Sequence, residues 1–378
     1  MKKLLYILNV TDGVNSFSLS SILAAQRVGL EFHMAGDFSQ TTREKLDEDE
    51  KKYSIRIHQI NLARSPFSLK NVSAYRQIVE LINKEKFDYI HCNTPVGGVL
   101  GRLAGMNGRV KKVIYQAHGF HFYKGAPIIN WMLYCPVEMF LARITDAIIT
   151  INSEDYQFAL KHMHPRSCIY YVPGVGIELE QWKISSNKEP RDALGLNDDD
   201  FVVLVVGRIE KNKNCKTIIE AISKIESRIV KAVFCGDGED KQQLQMLAKD
   251  LDILDRVVFV GNRADMNDIY HMADCFVLAS FREGLSRSIM EAMACGLPCI
   301  VSDIRGNRDL IDKDFLFDPN NSDELVKKIE MISKSENLRV KMRMRNLEKI
   351  REFRFDQVVE VLSKIYEEVF ELENVECE

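Results

Sequence analysis

A chain of 378 residues is longer than a single hydrophobic core comfortably fills and suits two domains. Its 46% hydrophobic and 28% charged residues exclude a disordered or fibrous chain, and no apolar run reaches the ~18 residues of a spanning helix. The net charge of −4 is unevenly spread, with 21 basic and 17 acidic residues up to position 180 and 30 and 38 after it. A basic first part could face an anionic surface or acceptor, although solvated surfaces of unequal charge give the same counts.

The nine cysteines are scattered and form no C-x-x-C pair, which argues against zinc and suits a reducing cytoplasm. Cys92, Cys235, Cys275 and Cys299 fall in or beside apolar runs and read as small buried residues. The opening MKKLLYILNV is too short in its apolar part for a signal peptide and lacks a cleavage site, so it reads as a first buried strand.

From there the chain alternates strand and helix. Strands are predicted at 4–8, 31–35, 55–60, 89–92, 112–116 and 147–151, with helices at 18–28, 38–52, 71–85 and 97–104 between them. This alternation predicts a parallel sheet wrapped by helices. Residues 127–144 (PIINWMLYCPVEMFLARI) are nearly all apolar, broken by Asn130, Pro136, Glu138 and Arg143. They read as a helix buried between sheet and domain interface, with a membrane-surface helix as the alternative. Residues 172–176 and the polar run 185–190 read as the hinge.

The pattern then restarts. Strands are predicted at 201–206, 232–235 and 257–260, and helices at 215–224, 241–250 and 267–272. Asp198, Asp199 and Asp200 precede a strand rather than follow one, so they read as a solvated turn and not a metal site. The stretch 274–311 holds a strand at 276–279, a loop carrying Glu283, a helix from Ser286 carrying Glu291, and a strand at 299–302. Such units bind ligands outside the carboxyl ends of their strands, and a helix N-terminus there attracts anions. The end of the chain, 323–372, is helical and charged; without an RNA-binding motif its basicity reads as helix faces, and no nucleic-acid partner is expected.

The first-strand loop, residues 9–16, has one glycine, and Gly236-x-Gly238 lacks a third, so a nicotinamide enzyme is disfavoured. No G-x-x-x-x-G-K-[ST] is present, which excludes a P-loop kinase. Arg208 directly follows a strand and Lys213 lies five residues on, at the same strand ends as the two acids. Arginine suits bidentate phosphate contact and lysine a point charge on a phosphate oxygen. A carboxylate among small neighbours, as in MEAMA around Glu291, suits two ribose hydroxyls, and a second, Glu283, suits a hexose. Together these residues describe a site for a nucleotide-diphosphate sugar.

Glu283 and Glu291, with seven residues between them in REGLSRSIMEAMACGLPCIVSD, resemble the E-x7-E motif of family 4 retaining GT-B glycosyltransferases. Gly207-Arg208 with Lys213 resembles that family's phosphate-binding pair. HCNTPVGG (91–98), AHGFHFYKGAP (117–127), ITINSEDY (149–156) and YVPGVGIE (171–178) are similar to the branch found in bacterial capsule and exopolysaccharide clusters. The resemblance spans nearly the whole chain. It implies a GT-B fold of two Rossmann-like, doubly wound α/β domains facing across a cleft. The expected divisions are an acceptor-binding domain (1–180), a nucleotide-sugar-binding domain (181–355) and a C-terminal helix (356–378) packing back toward the first domain. Glu291 is then expected on the donor ribose and Glu283 on the transferred sugar. Arg208 and Lys213 would neutralise the diphosphate without a metal or other cofactor. Backbone N–H groups of Gly284, Leu285 and Ser286 would serve sugar and phosphate. Gly13 and Arg263 complete the expected donor set, and His118 would stand near the anomeric carbon. His121 is rated below it, and His91 is placed inside its strand.

Two departures stand out from the family pattern. The first loop reads Asp12-Gly13-Val14-Asn15 where many relatives carry Gly-Gly, and Asn214 follows Lys213 where glycine is usual. The implied activity is transfer of a hexose from a UDP-linked donor to a lipid-linked saccharide, at the inner face of the cytoplasmic membrane. A UDP-sugar epimerase of the same fold and a non-catalytic sugar-nucleotide scaffold are the alternatives.

Overall fold

The computed structural model describes residues 1–108, 110–183 and 189–372. Positions 185–188 of the expected hinge and 373–378 of the expected C-terminal helix lie outside the described residues. The chain forms two compact units, one from Met1–Gly176 with the chain from Phe355 onward, the other Ile177–Arg354.

The first unit holds β1 (Lys3–Val10), α1 (Ser16–Arg27), β2 (Glu31–Asp37), α2 (Arg43–Tyr53), β3 (Arg56–Gln59), α3 (Lys70–Glu85), β4 (Tyr89–Asn93) and α4 (Pro95–Asn107). It continues with β5 (Lys112–Ala117), α5 (Ile128–Ala142), β6 (Ala147–Thr150), α6 (Ser153–His162) and β7 (Ile169–Tyr171). The strands make one parallel sheet in the order β3-β2-β1-β4-β5-β6-β7.

The second unit holds α7 (Glu189–Ala193), β8 (Phe201–Val206), α8 (Cys215–Lys224), β9 (Val230–Cys235), α9 (Lys241–Asp250), β10 (Val257–Gly261) and α10 (Met266–His271). After these come β11 (Cys275–Leu278), α11 (Arg287–Ala294), β12 (Cys299–Ser302), α12 (Asn307–Leu310), β13 (Leu316–Phe317), α13 (Ser322–Ser333) and α14 (Glu336–Lys349). Its sheet is also parallel, in the order β10-β9-β8-β11-β12-β13. Buried on both faces, strands such as β6, β11 and β12 read as largely continuous apolar runs rather than alternating ones.

The chain returns to the first unit as α15 (Phe355–Val369). Val358, Leu362, Ile365 and Tyr366 form its apolar stripe and join the core on the α1 side of the sheet. Tyr366 Oη lies 2.7 Å from His91 Nδ1, and Tyr89 donates to Phe370 O at 3.0 Å.

The apolar run 127–144 departs from the expectation of a buried helix. Along α5, Ile128, Ile129, Met132 and Phe140 are 78%, 52%, 67% and 61% exposed, whereas Glu138 is 7% exposed. The reason is the fully buried Arg102 of α4. Its Nη1 lies 2.8 Å from Glu138 Oε2, its Nε donates to Gly98 O at 2.9 Å, and its guanidinium sits 3.8 Å over the Tyr115 ring. Tyr115 also donates to Glu138 Oε1 at 3.3 Å. A buried carboxylate needs a partner more than an apolar side chain needs burial, so Glu138 fixes which face turns inward.

Burial also sets the pH response of the first unit. His91 is pushed down to about 3, and His58 and His118 to about 4, in each case chiefly by desolvation. Folded pKa values below the unfolded value of about 6.5 mean that unfolding takes up protons. The stabilisation is present above pH 6.5 and is lost as pH falls toward 4 and then 3. Three histidines together give a slope of about 4 kcal/mol per pH unit at its steepest. Thermal midpoints followed by Trp131 fluorescence in a Trp182→Phe background are therefore expected to fall steeply between pH 6.5 and 4.5, and an unchanged midpoint over that range would contradict this.

Candidate active site

The carboxyl edge of the second sheet gathers most of the predicted residues. β8 ends at Val206, and the chain turns through Gly207 to Arg208. Gly236 follows β9 at φ +142, and a Cβ there would fall 2.0 Å from Gly207 O, so no other residue fits between the two turns. Gly207, Arg208, Gly236, Asp237, Asn262 and Arg263 line a pocket of about 470 Å³. That volume suits a small ligand. Arg208 is exposed, with Nε 3.5 Å from the Glu210 carboxylate. Arg263 grips Asp265 through Nε at 2.8 Å and Nη2 at 2.5 Å. A larger groove of about 1050 Å³, between Lys313–Pro319 and α13, contains none of the predicted residues.

Lys213 closes the single turn Lys211–Lys213, and its Nζ lies 2.7 Å from Glu283 Oε1. The two side chains are only 20% and 14% exposed, so the pair is well shielded from water. Asn214 follows at φ +51, in the left-handed region where glycine is the easiest residue and asparagine the next. Its Nδ2 also donates to Ala279 O at 3.2 Å and to Pro319 O at 2.7 Å, tying the lysine loop to the end of β11. The departure from glycine therefore keeps the conformation and adds two hydrogen bonds.

Glu283, Gly284 and Leu285 form the loop between β11 and α11, and Ser286 is the N-cap residue. The Ser286 side chain makes no cap hydrogen bond to the first turn of α11; its Oγ lies 3.1 Å from Ser288 Oγ instead. Arg305, 3% exposed, donates from Nε to Glu283 O at 3.3 Å and steadies the loop from behind.

Glu291 lies on α11 with its side chain 13% exposed. Its Oε2 accepts from Tyr270 Oη and its Oε1 from Arg287 Nε, both at 2.9 Å. Desolvation raises its carboxyl pKa; Arg287 and Tyr270 oppose that shift. A carboxylate held by two donors and shielded from water is oriented before any ligand arrives.

Gly13 and His118 belong to the first unit. Gly13 has φ +130, and a Cβ would fall 2.4 Å from Asp49 Oδ2, which accepts from Val14 N at 2.8 Å. The single glycine is thus required by its own turn. His118 follows β5; its Nε2 lies 2.9 Å from Asn93 Oδ1, and the Phe17 ring stands edge-on at 5.1 Å. With Nε2–H donating to Asn93, the neutral ring leaves Nδ1 without a proton, and Nδ1 is buried with no hydrogen-bond partner among the described residues. His91 lies inside β4, as expected, and the His121 ring packs on Tyr134 of α5.

The structure thus joins Lys213 to Glu283, sets Arg208 and Arg263 round one pocket, and gives Glu291 its own pair of donors. Sequence reasoning missed Tyr270, Arg287 and Asn93. The four-residue spacing of Arg287 and Glu291 was a usable signal; nothing local marked Tyr270 or Asn93.

Comparison with known proteins gives the family and the fold. Residues 6–152 match the family described as "Glycosyl transferase 4-like", and residues 186–349 match "Glycosyl transferases group 1". The chain is 35% identical over 385 residues to "Putative glycosyltransferase EpsD" of Bacillus subtilis, covering 99% of both chains. It is 30% identical to the Escherichia coli "UDP-Gal:alpha-D-GlcNAc-diphosphoundecaprenol alpha-1,3-galactosyltransferase", covering 74% of this chain and 75% of that one. Among solved structures, Anabaena Alr3699/HepE in complex with UDP and glucose superposes with a TM-score of 0.79 at 19% identity, covering 97% of this chain and 100% of that one. Sucrose-phosphate synthase from Thermosynechococcus elongatus also reaches 0.79, at 18% identity, covering 99% and 100%. Two parallel Rossmann-like sheets, these neighbours and the full-length relative place the chain in the GT-B fold, and it belongs to the family 4-like, group 1 glycosyltransferases.

Proposed function

We propose that the chain is a retaining, metal-independent glycosyltransferase that moves a sugar from a UDP-linked donor to a lipid-linked saccharide during surface-polysaccharide assembly. The observation that carries this reading is the edge of the second sheet, where Lys213–Glu283, the Arg208 and Arg263 pocket and the pre-oriented Glu291 occur together. The named substrates of the Escherichia coli relative and the UDP bound by the Anabaena protein point to the same donor and acceptor classes. The reaction belongs on the cytoplasmic side of a membrane, where nucleotide sugars meet lipid carriers.

In this reading Glu291 accepts hydrogen bonds from the ribose hydroxyls, and Arg208 and Lys213 take the diphosphate. Backbone N–H groups at Gly284, Leu285, Ser286 and the open start of α11 serve the phosphate and the sugar. Glu283 holds the transferred sugar's hydroxyls, and its ion pair with Lys213 keeps that carboxylate from repelling the phosphate. Retention follows if the acceptor hydroxyl attacks from the leaving-group face. The bond from the anomeric carbon to the β-phosphate oxygen breaks, the bond to the acceptor oxygen forms, and the acceptor proton passes to the departing phosphate. Fixed cations then supply the neutralisation that a metal supplies in other enzymes.

His118 is assigned to the acceptor side. Its pKa of about 4 keeps the ring neutral at pH 7. His118→Ala is expected to lower turnover roughly 100-fold while leaving the UDP-induced thermal shift unchanged, and equal loss of both would refute the assignment. Incubation with donor alone tests the reaction class. Slow release of UDP is the expected result, and a UDP-sugar epimerised at one carbon would overturn the transferase reading.

A further inference from the structure

The outward face of α5 has no role in the chemistry above. Ile128, Ile129, Met132, Leu133, Val137 and Phe140, all at least 44% exposed, form a continuous apolar stripe over four turns. The buried Arg102–Glu138 pair holds that stripe outward. Along its own stretch of sequence the exposed charges have one sign. Between Lys112 and Glu154 the charged residues are Lys124, Glu138, Arg143 and Asp146; the two acids are buried and the two cations exposed.

A second segment of the same layer repeats the pattern. The α3, α4 and α5 helices pack on one face of the first sheet. Both α3 and α5 follow strands of a parallel sheet, so both begin at its carboxyl edge, where His118 follows β5. Just before and at the start of α3, Phe67 and Leu69 are 76% and 87% exposed beside exposed Arg64 and Lys70, and no acidic residue occurs between Glu50 and Glu80.

We propose that this face docks the protein on an anionic phospholipid bilayer, with α5 lying in the plane of the interface. The apolar stripe enters the acyl boundary, and Arg64, Lys70, Lys124 and Arg143 meet lipid phosphates. A second copy of the chain fits less well, because a two-fold contact through this face would set the exposed cations Lys124 and Arg143 against their own counterparts. The inference stands on the surface of the first unit and does not depend on the donor chemistry. It places a lipid-borne acceptor at the sheet edge that carries His118.

The test is co-sedimentation of the full chain with vesicles of phosphatidylcholine alone or mixed with phosphatidylglycerol. Binding is expected to the mixed vesicles, to weaken with added salt, and to fall at least tenfold in Met132→Asp/Phe140→Asp, both outward-facing positions. Trp131, on α5, supplies a second readout: brominated lipid in the mixed vesicles is expected to quench it in a Trp182→Phe background. The thermal shift with UDP, read on the double variant, reports that the fold is intact and separates this test from that of the donor. No sedimentation with mixed vesicles, wild-type binding by the double variant, or a wild-type dimer that the variant splits without any vesicle binding would each overturn the proposal.

Discussion

Replacing Glu291 by alanine is expected to weaken UDP binding roughly 150-fold, because two hydrogen bonds to a charged acceptor contribute about 1.5 kcal/mol each. The carboxylate is already buried and held by Tyr270 and Arg287, so the ribose meets an acceptor whose orientation is fixed beforehand. The substitution should not unfold the site. Tyr270 keeps Ser288 O as a second acceptor at 3.3 Å, and Arg287 is half exposed. Titration calorimetry of UDP and of its 2′,3′-dideoxy analogue makes the assignment specific: wild type should prefer UDP strongly, and Glu291→Ala should bind both alike. UDP affinity equal to wild type in the variant would remove Glu291 from the ribose.

Glu138→Ala should produce the largest loss of stability among the substitutions considered. It leaves the guanidinium of Arg102 in the core with Gly98 O and the Tyr115 ring as its remaining contacts. An uncompensated buried charge costs about 3–5 kcal/mol. Urea unfolding should show that loss as a lower midpoint. The double variant Arg102→Met/Glu138→Leu, which removes both charges, should recover most of it, since a buried ion pair is worth little over well-packed apolar residues. A loss below about 1 kcal/mol in the single variant would mean that water reaches Arg102.

Most strands were legible because buried parallel strands are short apolar runs between turn residues, as in FVVLVV of β8 and CIVS of β12. The acids were legible for a different reason. A glutamate within MEAMA is out of place on a solvated face, and its burial follows from its neighbours. The partners were not. Tyr270 comes from α10 and Asn93 from β4, and contacts between elements leave no local spacing to read. The orientation of α5 was misread for the same reason. Apolar on nearly every side, its sequence has no preferred face, and the partner that makes Glu138 choose one, Arg102, lies 36 positions before that glutamate. The short strands β7 and β13 and helix α6 were also passed over, the strands because two or three residues carry almost no period.

The decisive measurement is transfer itself. The full chain would be incubated in chelator with a radiolabelled UDP-hexose panel and a diphosphopolyprenyl-linked saccharide, and label in the extracted lipid would be counted. Label from one UDP-hexose is expected to enter the lipid with equal release of UDP and with retained anomeric configuration, and Glu291→Ala is expected to abolish this at donor concentrations saturating for wild type. Lipid that stays unlabelled with every UDP-hexose would overturn the proposed transfer, and labelling that requires a divalent metal would overturn its metal independence.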